Sequence, residues 1–306
     1  MLRTGLIGFG YWGRNLARNF QTVPSSILAG ICDSDPARLA EAGNLYPTVR
    51  TVTEAVALIE DPTLDAIAIA TPPAAHFPLA VAALEAGKHV WLEKPMGCGS
   101  RVAGQLQAQA RKRSRVLMVD YTFVYSEPVR KIRELIDSGE LGSLYYYDSV
   151  RANLGRFQND VDVLWDLASH DLAILDHLLE EQPVRVQAHR AAHLGKQAEV
   201  AHLSLEYASG FHAHVHASWL APVKIRRVIL AGSKRMLLWD DLDSERRLQT
   251  YCYDASPQPH NCQGAEPLGT AVRHFLTCIE TGAQPRTDGE MGMRVARILE
   301  QAAAGY

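Results

Sequence analysis

The chain has 306 residues, enough for two domains or one large one. Its apolar fraction of 47% and charged fraction of 21% are ordinary for a globular protein. A net charge of −3 without a clustered basic run argues against a nucleic-acid partner. No stretch reaches the ~18 apolar residues of a membrane span, and residues 1–20 lack the ordered regions of a signal peptide. Five widely spaced cysteines without a metal spacing favour reduced thiols in a cytoplasm.

Strands and helices alternate over the first 120 residues. Short apolar runs predict strands at Thr4–Ile7, Ile27–Cys32, Ala66–Ala70, His89–Leu92 and Val116–Val119. Helical patterns predict helices at Tyr11–Phe20, Asp35–Asn44, Thr53–Ile59, Ala75–Ala86 and about 100–112. Apolar strands that alternate with helices indicate the α/β class, with a doubly wound parallel sheet that is covered on both faces.

The pattern changes after residue 120. Helices are predicted at Glu127–Asp137, about 164–180, 267–280 and 288–303. Strands are predicted at Ser143–Val150, before an irregular segment Arg151–Asp160, and at Val184–Ala191, Ala198–Tyr207, Phe211–Trp219, Lys224–Ala231 and Arg235–Trp239. Successive strands with short turns indicate a large, mostly antiparallel open sheet. We therefore predict a nucleotide-binding domain at 1–120 and an α+β substrate and oligomerisation domain at 121–306, whose terminal helix can pack back on the first domain.

A glycine-rich loop lies between the first predicted strand and the first predicted helix. Its residues Gly8, Phe9, Gly10, Tyr11, Trp12 and Gly13 form a GxGxxG pattern. The first glycine permits a tight turn, the second lets the backbone approach a pyrophosphate, and the third allows close helix–strand packing. The alternative is a glycine turn that binds no ligand. The pattern alone is weak, but its place after a strand and before a helix favours a dinucleotide site.

Asp33 ends the second predicted strand, where a carboxylate can accept hydrogen bonds from the adenosine ribose. A carboxylate there repels a 2′-phosphate, and neither Ser34 nor Asp35 supplies the cation that NADP requires. NAD is therefore the expected cofactor, and NADP is disfavoured. Arg38 is the one nearby cation that keeps this choice open.

Proline-containing turns follow two of the predicted strands, Ala66–Ala70 and His89–Leu92. The carboxyl ends of parallel strands form the edge at which such sheets bind ligands. Lys94 is the amine at this edge, and partial desolvation near a cofactor would make its ammonium easier to deprotonate than that of a free lysine. The alternative is a solvated surface lysine. The cofactor-binding candidates from these turns are Thr71, Pro72, His76, Glu93 and Lys94.

Asp166 and His170 are four residues apart, so they share one face of a helix. A hydroxyl that is oxidised loses its proton, and an imidazole accepts protons near neutral pH. The alternatives for Asp166 and His170 are a structural pair on a helix and half of a metal site. No third metal ligand is evident, so we expect no metal.

His212, His214 and His216 alternate along one strand and indicate an open sheet face at a subunit contact or in solvent, with metal binding as the lesser alternative. Trp219 and Trp239 are expected to serve packing.

With these residues identified, the chain resembles the Gfo/Idh/MocA family, which includes glucose–fructose oxidoreductase and inositol dehydrogenase. The resemblance runs from Thr4 to about Tyr253 and rests on GLIGFGYWGRNLARNF, IATPPAAH, EAGKHVWLEKP and LWDLASHD. It implies a Rossmann domain, a C-terminal domain with a large open sheet, and NAD(P)-linked oxidation or reduction of a sugar or cyclitol hydroxyl. It also implies homodimers or homotetramers. The stretches GSLYYYDSVRANLGR and HASWLAPVKIRRVILAGSKRMLLWDD resemble the branch that acts on nucleotide-linked sugars.

The family's catalytic roles carry over to Lys94, Asp166 and His170, which all match. Relatives in this branch often have Gly-His where this chain has Asp120-Tyr121, and that departure leaves the exact sugar open. The substrate-contacting candidates are Tyr121, Asn153, Arg156, Asp166 and His170.

These observations predict an NAD-dependent dehydrogenase whose small-molecule substrate is a sugar, in first place a nucleotide-linked one. An inositol or free-sugar dehydrogenase is the alternative within the same class. Two alternative functions belong to other classes of protein. An NAD-dependent glycoside hydrolase would release a free sugar, and a non-catalytic NAD-sensing regulator would be expected to lose Lys94 or His170, both of which are present.

Overall fold

The computed structural model describes residues 1–97, 99–155, 157, 160–252 and 254–304. The chain divides into two compact units. The first contains Met1–Tyr125 and Ala265–Ala296, and the second contains Ser126–Gly264 and Arg297–Tyr306. The first unit thus includes a segment near the end of the chain in addition to the residues before the predicted boundary at 120.

The first unit is built on a parallel sheet. Its strands are β1 (Leu2–Ile7), β2 (Ser26–Cys32), β3 (Arg50–Val52), β4 (Ala66–Ile69), β5 (His89–Leu92) and β6 (Leu117–Val119). They lie in the order β3-β2-β1-β4-β5-β6, and every neighbouring pair is parallel. The doubly wound parallel sheet that the sequence predicts is confirmed.

Helices connect these strands and cover the sheet. They are α1 (Tyr11–Thr22), α2 (Pro36–Leu45), α3 (Val56–Ile59), α4 (His76–Glu85) and α5 (Ser100–Lys112). A further helix of this unit, which we call αC (Pro267–Thr281), comes from the later segment. Trp91 of β5 is fully buried and packs edge-on against Phe20 of α1 and Phe275 of αC, with ring centroids 5.8 and 5.7 Å away. These three rings fix helices to the sheet.

The second unit is built on an eight-stranded sheet. Its strands are β7 (Leu144–Leu154), β8 (Pro183–Ala191), β9 (Val200–Tyr207), β10 (His212–Ser218), β11 (Leu220–Gly232), β12 (Met236–Asp240), β13 (Leu248–Cys252) and β14 (Ala255–His260). The order is β14-β13-β12-β11-β7-β10-β9-β8, and only the described pair β7–β10 is parallel. The predicted large, mostly antiparallel sheet is confirmed.

Helices α6 (Glu127–Asp137) and α7 (Ser169–Leu178) belong to the second unit, and the last helix runs from Gly289 to Ala304. A π-helical turn, Leu164–Ala168, comes directly before α7. None of the helices in the described ranges has both the length and the apolar character that crossing a membrane requires.

Several predicted boundaries were wrong for identifiable reasons. β3 was missed because it has three residues, two of them exposed, and so lacks an apolar run. β14 was missed because it contains two prolines and is exposed along most of its length. The predicted helix Thr53–Ile59 begins only at Val56. The segment predicted to be irregular from Arg151 continues β7 as far as Leu154, because it pairs with β11.

Candidate active site

The glycine loop has the close contacts that the GxGxxG pattern predicts. Gly8 has φ of +96°, and a Cβ there would lie 2.6 Å from the carbonyl oxygen of Ala70. A Cβ on Gly13 would lie 2.0 Å from the carbonyl oxygen of Gly8. Gly10 is the N-cap of α1 and provides no side-chain cap, so the first N–H groups of the helix face the loop. The loop therefore fits a pyrophosphate, because backbone donors and the positive end of the helix dipole face the space that side chains would fill.

Asp33 holds this loop in place. Its side chain is nearly buried, and its two oxygens accept the backbone N–H groups of Phe9 at 2.7 Å and Asp35 at 2.9 Å. A carboxylate has further lone pairs with which to accept a ribose hydroxyl. Arg38 lies within 3.5 Å of both Asp33 and Asp35. Arg38 thus provides the cation that is absent at Ser34 and Asp35, but its guanidinium already contacts two carboxylates.

His76 connects the loop after β4 to the loop after β5. The residue is fully buried, and its ring nitrogens lie 2.9 Å from the carbonyl oxygens of Pro95 and Thr71. Burial lowers the pKa of His76, and the two carbonyl contacts oppose this effect because they favour the protonated ring. Both ring nitrogens therefore contact backbone, which gives His76 a loop-positioning role. Its predicted contact with the cofactor stays a prediction.

Glu93 and Asp120 follow β5 and β6 and form a pair of buried carboxyl groups. Glu93 is 9% exposed and Asp120 is 2% exposed. Asp120 accepts a hydrogen bond from the indole Nε1 of Trp12 at 2.9 Å and another from the hydroxyl of Thr122. Burial, followed by the neighbouring Asp120, raises the pKa of Glu93 well above its usual value. Lys94, the predicted catalytic amine, is half-buried beside this pair.

In the second unit, the structure places Asp166 on the π-helical turn and His170 in the first turn of α7. Asp162 begins this turn, because its Oδ1 accepts the N–H groups of Leu164 and Trp165, each at 3.1 Å. Asp162 also pairs with Arg190 at 3.0 Å. Asp166 and His170 are both half-buried. Single π-turns inside helices frequently occur at functional sites, and this one carries the predicted carboxylate.

Trp219 makes a contact with the candidate residue Asp166 that the sequence reasoning missed. The indole Nε1 of Trp219 donates to Oδ2 of Asp166 at 3.1 Å, although the sequence indicated only packing. The residue is 1% exposed, so the donor is fixed in place. Trp219 comes between β10 and β11, 53 residues after Asp166, and no local spacing could have linked the two. Trp239, by contrast, is equally buried, and its Nε1 finds no acceptor among the described residues.

A buried ion pair lies beneath α7. Arg151 of β7 donates to Asp171 at 2.8 Å, and the hydroxyl of Tyr147 on the same strand donates to Asp171 at 3.0 Å. The side chains of Arg151 and Asp171 are 4% and 1% exposed. Asp171 is the immediate neighbour of His170. The ion pair therefore fixes the rotation of α7 on the sheet and with it the direction of His170.

The predicted substrate-contacting residues differ in their surroundings. Tyr121 is 2% exposed, whereas Asn153 is half-buried. Asn153 Oδ1 is buried and accepts no hydrogen bond within the described part of the chain. Phe157 packs edge-on against Trp219, with ring centroids 5.9 Å apart. Arg156 lies outside the described residues.

The three histidines of β10 share one sheet face, as predicted. His212 and His214 are exposed, while His216 is half-buried and stacks on His202 of β9 with centroids 4.3 Å apart. Across the described residues, no group of three or more His, Cys, Asp or Glu side chains could hold a metal ion.

Comparison with known proteins identifies the family of the chain. Residues 2–121 match the profile of the GFO/IDH/MocA oxidoreductase family with an NAD-binding Rossmann fold, and residues 129–238 match its C-terminal domain. The chain is 31% identical to the UDP-N-acetylglucosamine 3-dehydrogenase of Acidithiobacillus ferrooxidans, over 96% of this chain and 94% of that protein. A solved structure of that enzyme superposes with a TM-score of 0.88 at 28% identity and covers 99% of this chain and 97% of its own.

A second relative has a different substrate in its name. The myo-inositol 2-dehydrogenase of Thermotoga maritima is 23% identical over 99% of this chain and 95% of its own length. The resemblance inferred from the sequence, the dehydrogenase activity on CH–OH groups and the NAD cofactor are thereby confirmed. The chain belongs to the Gfo/Idh/MocA family of NAD(P)-dependent oxidoreductases.

Proposed function

We propose that this protein is an NAD-dependent dehydrogenase of a nucleotide-linked sugar. The observation that carries the substrate class is the similarity to UDP-N-acetylglucosamine 3-dehydrogenase, which extends over 96% of this chain. The similarity to an inositol dehydrogenase is lower, at 23% identity, so a free cyclitol is the second candidate. Turnover of NAD with a panel of sugar nucleotides, free sugars and inositols tests the assignment. Activity with inositols alone would overturn the nucleotide-linked class.

The residues divide the chemistry as follows. NAD, when bound, supplies the acceptor for the two electrons that leave the sugar carbon. Backbone N–H groups at Gly8–Gly13 hold the pyrophosphate, and Asp33 accepts hydrogen bonds from the ribose hydroxyls. His170 removes the proton of the substrate hydroxyl, and Lys94 stabilises the alkoxide that develops on the same oxygen. Asp166, which Trp219 orients, holds the substrate and the imidazole.

The first prediction concerns the proton-transfer residues. His170→Ala and Lys94→Ala each lower the oxidation rate by roughly 10²–10⁴, the usual share of positioned acid–base catalysis. The double variant loses less than the product of the two effects, because both groups act on one proton. Turnover and NADH affinity are measured for each variant, with the exposed Lys112→Ala as the control. Both variants retain NADH binding. Near-normal turnover of His170→Ala would remove the imidazole from the mechanism and leave Lys94 as the leading base.

The second prediction concerns the indole that orients Asp166. Trp219→Phe keeps most of the buried ring but removes the donor to a carboxylate, so turnover falls about ten- to hundredfold, as expected for a charge-assisted hydrogen bond. Trp239→Phe is the matched control, because its Nε1 has no described acceptor and it is equally buried. Steady-state turnover and thermal midpoint are compared for the two variants. Equal loss of turnover in both would assign Trp219 to packing alone.

The third prediction concerns cofactor choice. NADH binds more tightly than NADPH, because Asp33 repels a 2′-phosphate. Asp33→Asn narrows this preference, since the amide oxygen still accepts the Phe9 N–H while the charge is gone and Arg38 is released from one of its two carboxylates. Fluorescence titration with NADH and NADPH measures both affinities. Adding Arg38→Ala to Asp33→Asn should weaken NADPH binding again. Tighter binding of NADPH by the unaltered protein would contradict the assignment.

The fourth prediction concerns assembly into a homodimer or homotetramer through the open face of the second-unit sheet. His214 of β10 and Ile229 of β11 lie on either side of Asp148 of β7, and both are exposed. The opposite face carries buried residues such as Val215 and Leu230. Sedimentation should show a dimer or tetramer at micromolar concentration, and Ile229→Lys should shift it towards monomer. Leu194→Lys, at an exposed loop position, is the control. A monomer at every concentration would refute this assembly.

A further inference from the structure

A cavity of about 460 Å³ lies within the first unit, at the amino ends of β5 and β6. Its described lining comes from the starts of these two strands, from α5 and from the segment that follows αC. The candidate active site lies beyond the carboxyl ends of the same strands, and Glu93 follows His89 after about 13 Å of extended chain. The cavity is therefore separate from the cofactor edge. Its volume suits a small molecule, since such sites enclose ~300–1,000 Å³.

The side chain of Gln107 is a buried polar group in the wall of this cavity. The residue is 7% exposed, and its amide forms no hydrogen bond with any described residue. A buried amide without a partner destabilises the folded state, because folding removes the water that it binds in the unfolded chain. A ligand in the cavity would supply the missing donor and acceptor. The Gln107 amide thus serves no described part of the fold and is available to a ligand.

His89 provides a hydrogen-bond donor at the same wall. Its Nδ1 accepts the backbone N–H of Val116 at 3.0 Å, so the proton of the neutral ring lies on Nε2. Burial, followed by the charge of Arg115, lowers the pKa of His89 to about 4, and the ring is therefore neutral at neutral pH. The residue lines the cavity, and its Nε2–H donates to no described residue. His89 thus offers one N–H group to a ligand.

Arg115 supplies a positive charge to the cavity. Its Nε donates to the carbonyl of Gly87 at 2.5 Å, which fixes the guanidinium, and its Nη1 lies 3.4 Å from the carbonyl oxygen of Ser114. Arg111 also lines the cavity, but it pairs with Glu290 at 2.8 Å. Arg115 forms no ion pair with a carboxylate in the described part of the chain. Its charge and its Nη2 donors are therefore left for a bound anion.

We propose that this cavity is a second small-molecule site, which binds a metabolite through a phosphate or carboxylate group. Arg115 and the N–H of His89 hold the oxyanion, because a charged planar donor and a neutral donor both match its lone pairs. Gln107 binds a polar group elsewhere on the same ligand. Asp288 also lines the cavity, but its carboxylate accepts the N–H of Met291 at 2.9 Å at the start of the last helix. The site does not depend on which sugar the enzyme oxidises.

Binding is tested with the full-length protein and saturating NADH, which occupies the glycine loop. Inorganic phosphate, AMP and succinate are titrated separately while the thermal midpoint is followed. At least one of these probes should raise the midpoint as its concentration rises, because it binds the folded state and not the unfolded chain. A rise with phosphate or AMP identifies a phosphate ligand, and a rise with succinate alone identifies a carboxylate ligand. No rise with any of the three probes would overturn the proposal.

Variants show whether the stabilising probe binds in this cavity. Gln107→Leu should weaken its binding about tenfold, the effect of one lost hydrogen bond. The midpoint of the ligand-free variant should not fall, because the amide has no described partner to lose. Arg115→Gln should weaken binding at least as much, because the charge is removed.

Arg113→Gln is the matched control for the loss of an arginine. Arg113 is exposed and donates to the carbonyl of Glu85 at 3.3 Å, outside the described lining of the cavity. The control should bind the probe as tightly as the unaltered protein. Unchanged affinity in Gln107→Leu, or equal weakening in Arg113→Gln and Arg115→Gln, would contradict a site in this cavity. A lower ligand-free midpoint in Gln107→Leu would assign the amide to packing and would also count against the site.

Discussion

Parallel pairing of strands in the first unit is the constraint on which its functional residues depend. All strands of a parallel sheet end at one edge, so the segments that follow β1, β4, β5 and β6 meet there although they are far apart in sequence. The glycine loop follows β1, and Thr71 follows β4. Glu93 and Lys94 follow β5, and Asp120 follows β6. The sheet is buried, so each polar group at its edge needs a hydrogen-bond partner. The contacts of His76 with the carbonyl oxygens of Thr71 and Pro95, and of Trp12 with Asp120, supply partners for His76 and Asp120 and join one segment to the next.

The need of buried polar groups for partners also explains the fixed position of α7 in the second unit. The Arg151–Asp171 pair is 2.8 Å apart and almost fully buried, whereas Arg185 and Glu206 on the sheet surface are 3.5 Å apart and 59% and 38% exposed. Removing one member of a buried pair costs ~3–5 kcal/mol because the other charge is left desolvated, while an exposed pair contributes ~0–1 kcal/mol. The buried pair thus outweighs the surface contacts in setting the position of α7. The position of His170 is fixed with that of α7, because His170 is adjacent to Asp171.

The sequence was sufficient where the signal is local. The glycine spacing, the strand that precedes it and Asp33 at the end of β2 are all short-range patterns, and the structure has each of them in the predicted position. The apolar runs predicted β4 and β5 for the same reason. What could not be predicted depends on long-range pairing. Trp219 donates to a carboxylate 53 residues earlier, and Asp120 meets Trp12 across 108 residues. The three-residue β3 and the proline-containing β14 exist only because neighbouring strands offer them hydrogen bonds.

The π-helical turn depends both on a local sequence pattern and on long-range contacts. A period of four residues between Asp166 and His170 predicts a shared helix face, and the helix is there, but its first turn is widened. Asp162 stabilises the start of the widened turn through two backbone N–H groups, and Trp219 holds Asp166 from outside the helix. Asp166 still makes a regular backbone hydrogen bond to Asp162, four residues earlier, at 3.0 Å. The widened turn therefore changes the direction of the residues that follow, because π-turns hydrogen-bond five residues apart instead of four. Asp162 before the turn and Trp219 after β10 therefore both contribute to the position of the Asp166 carboxylate. The four-residue spacing fixes only which side of the helix it occupies.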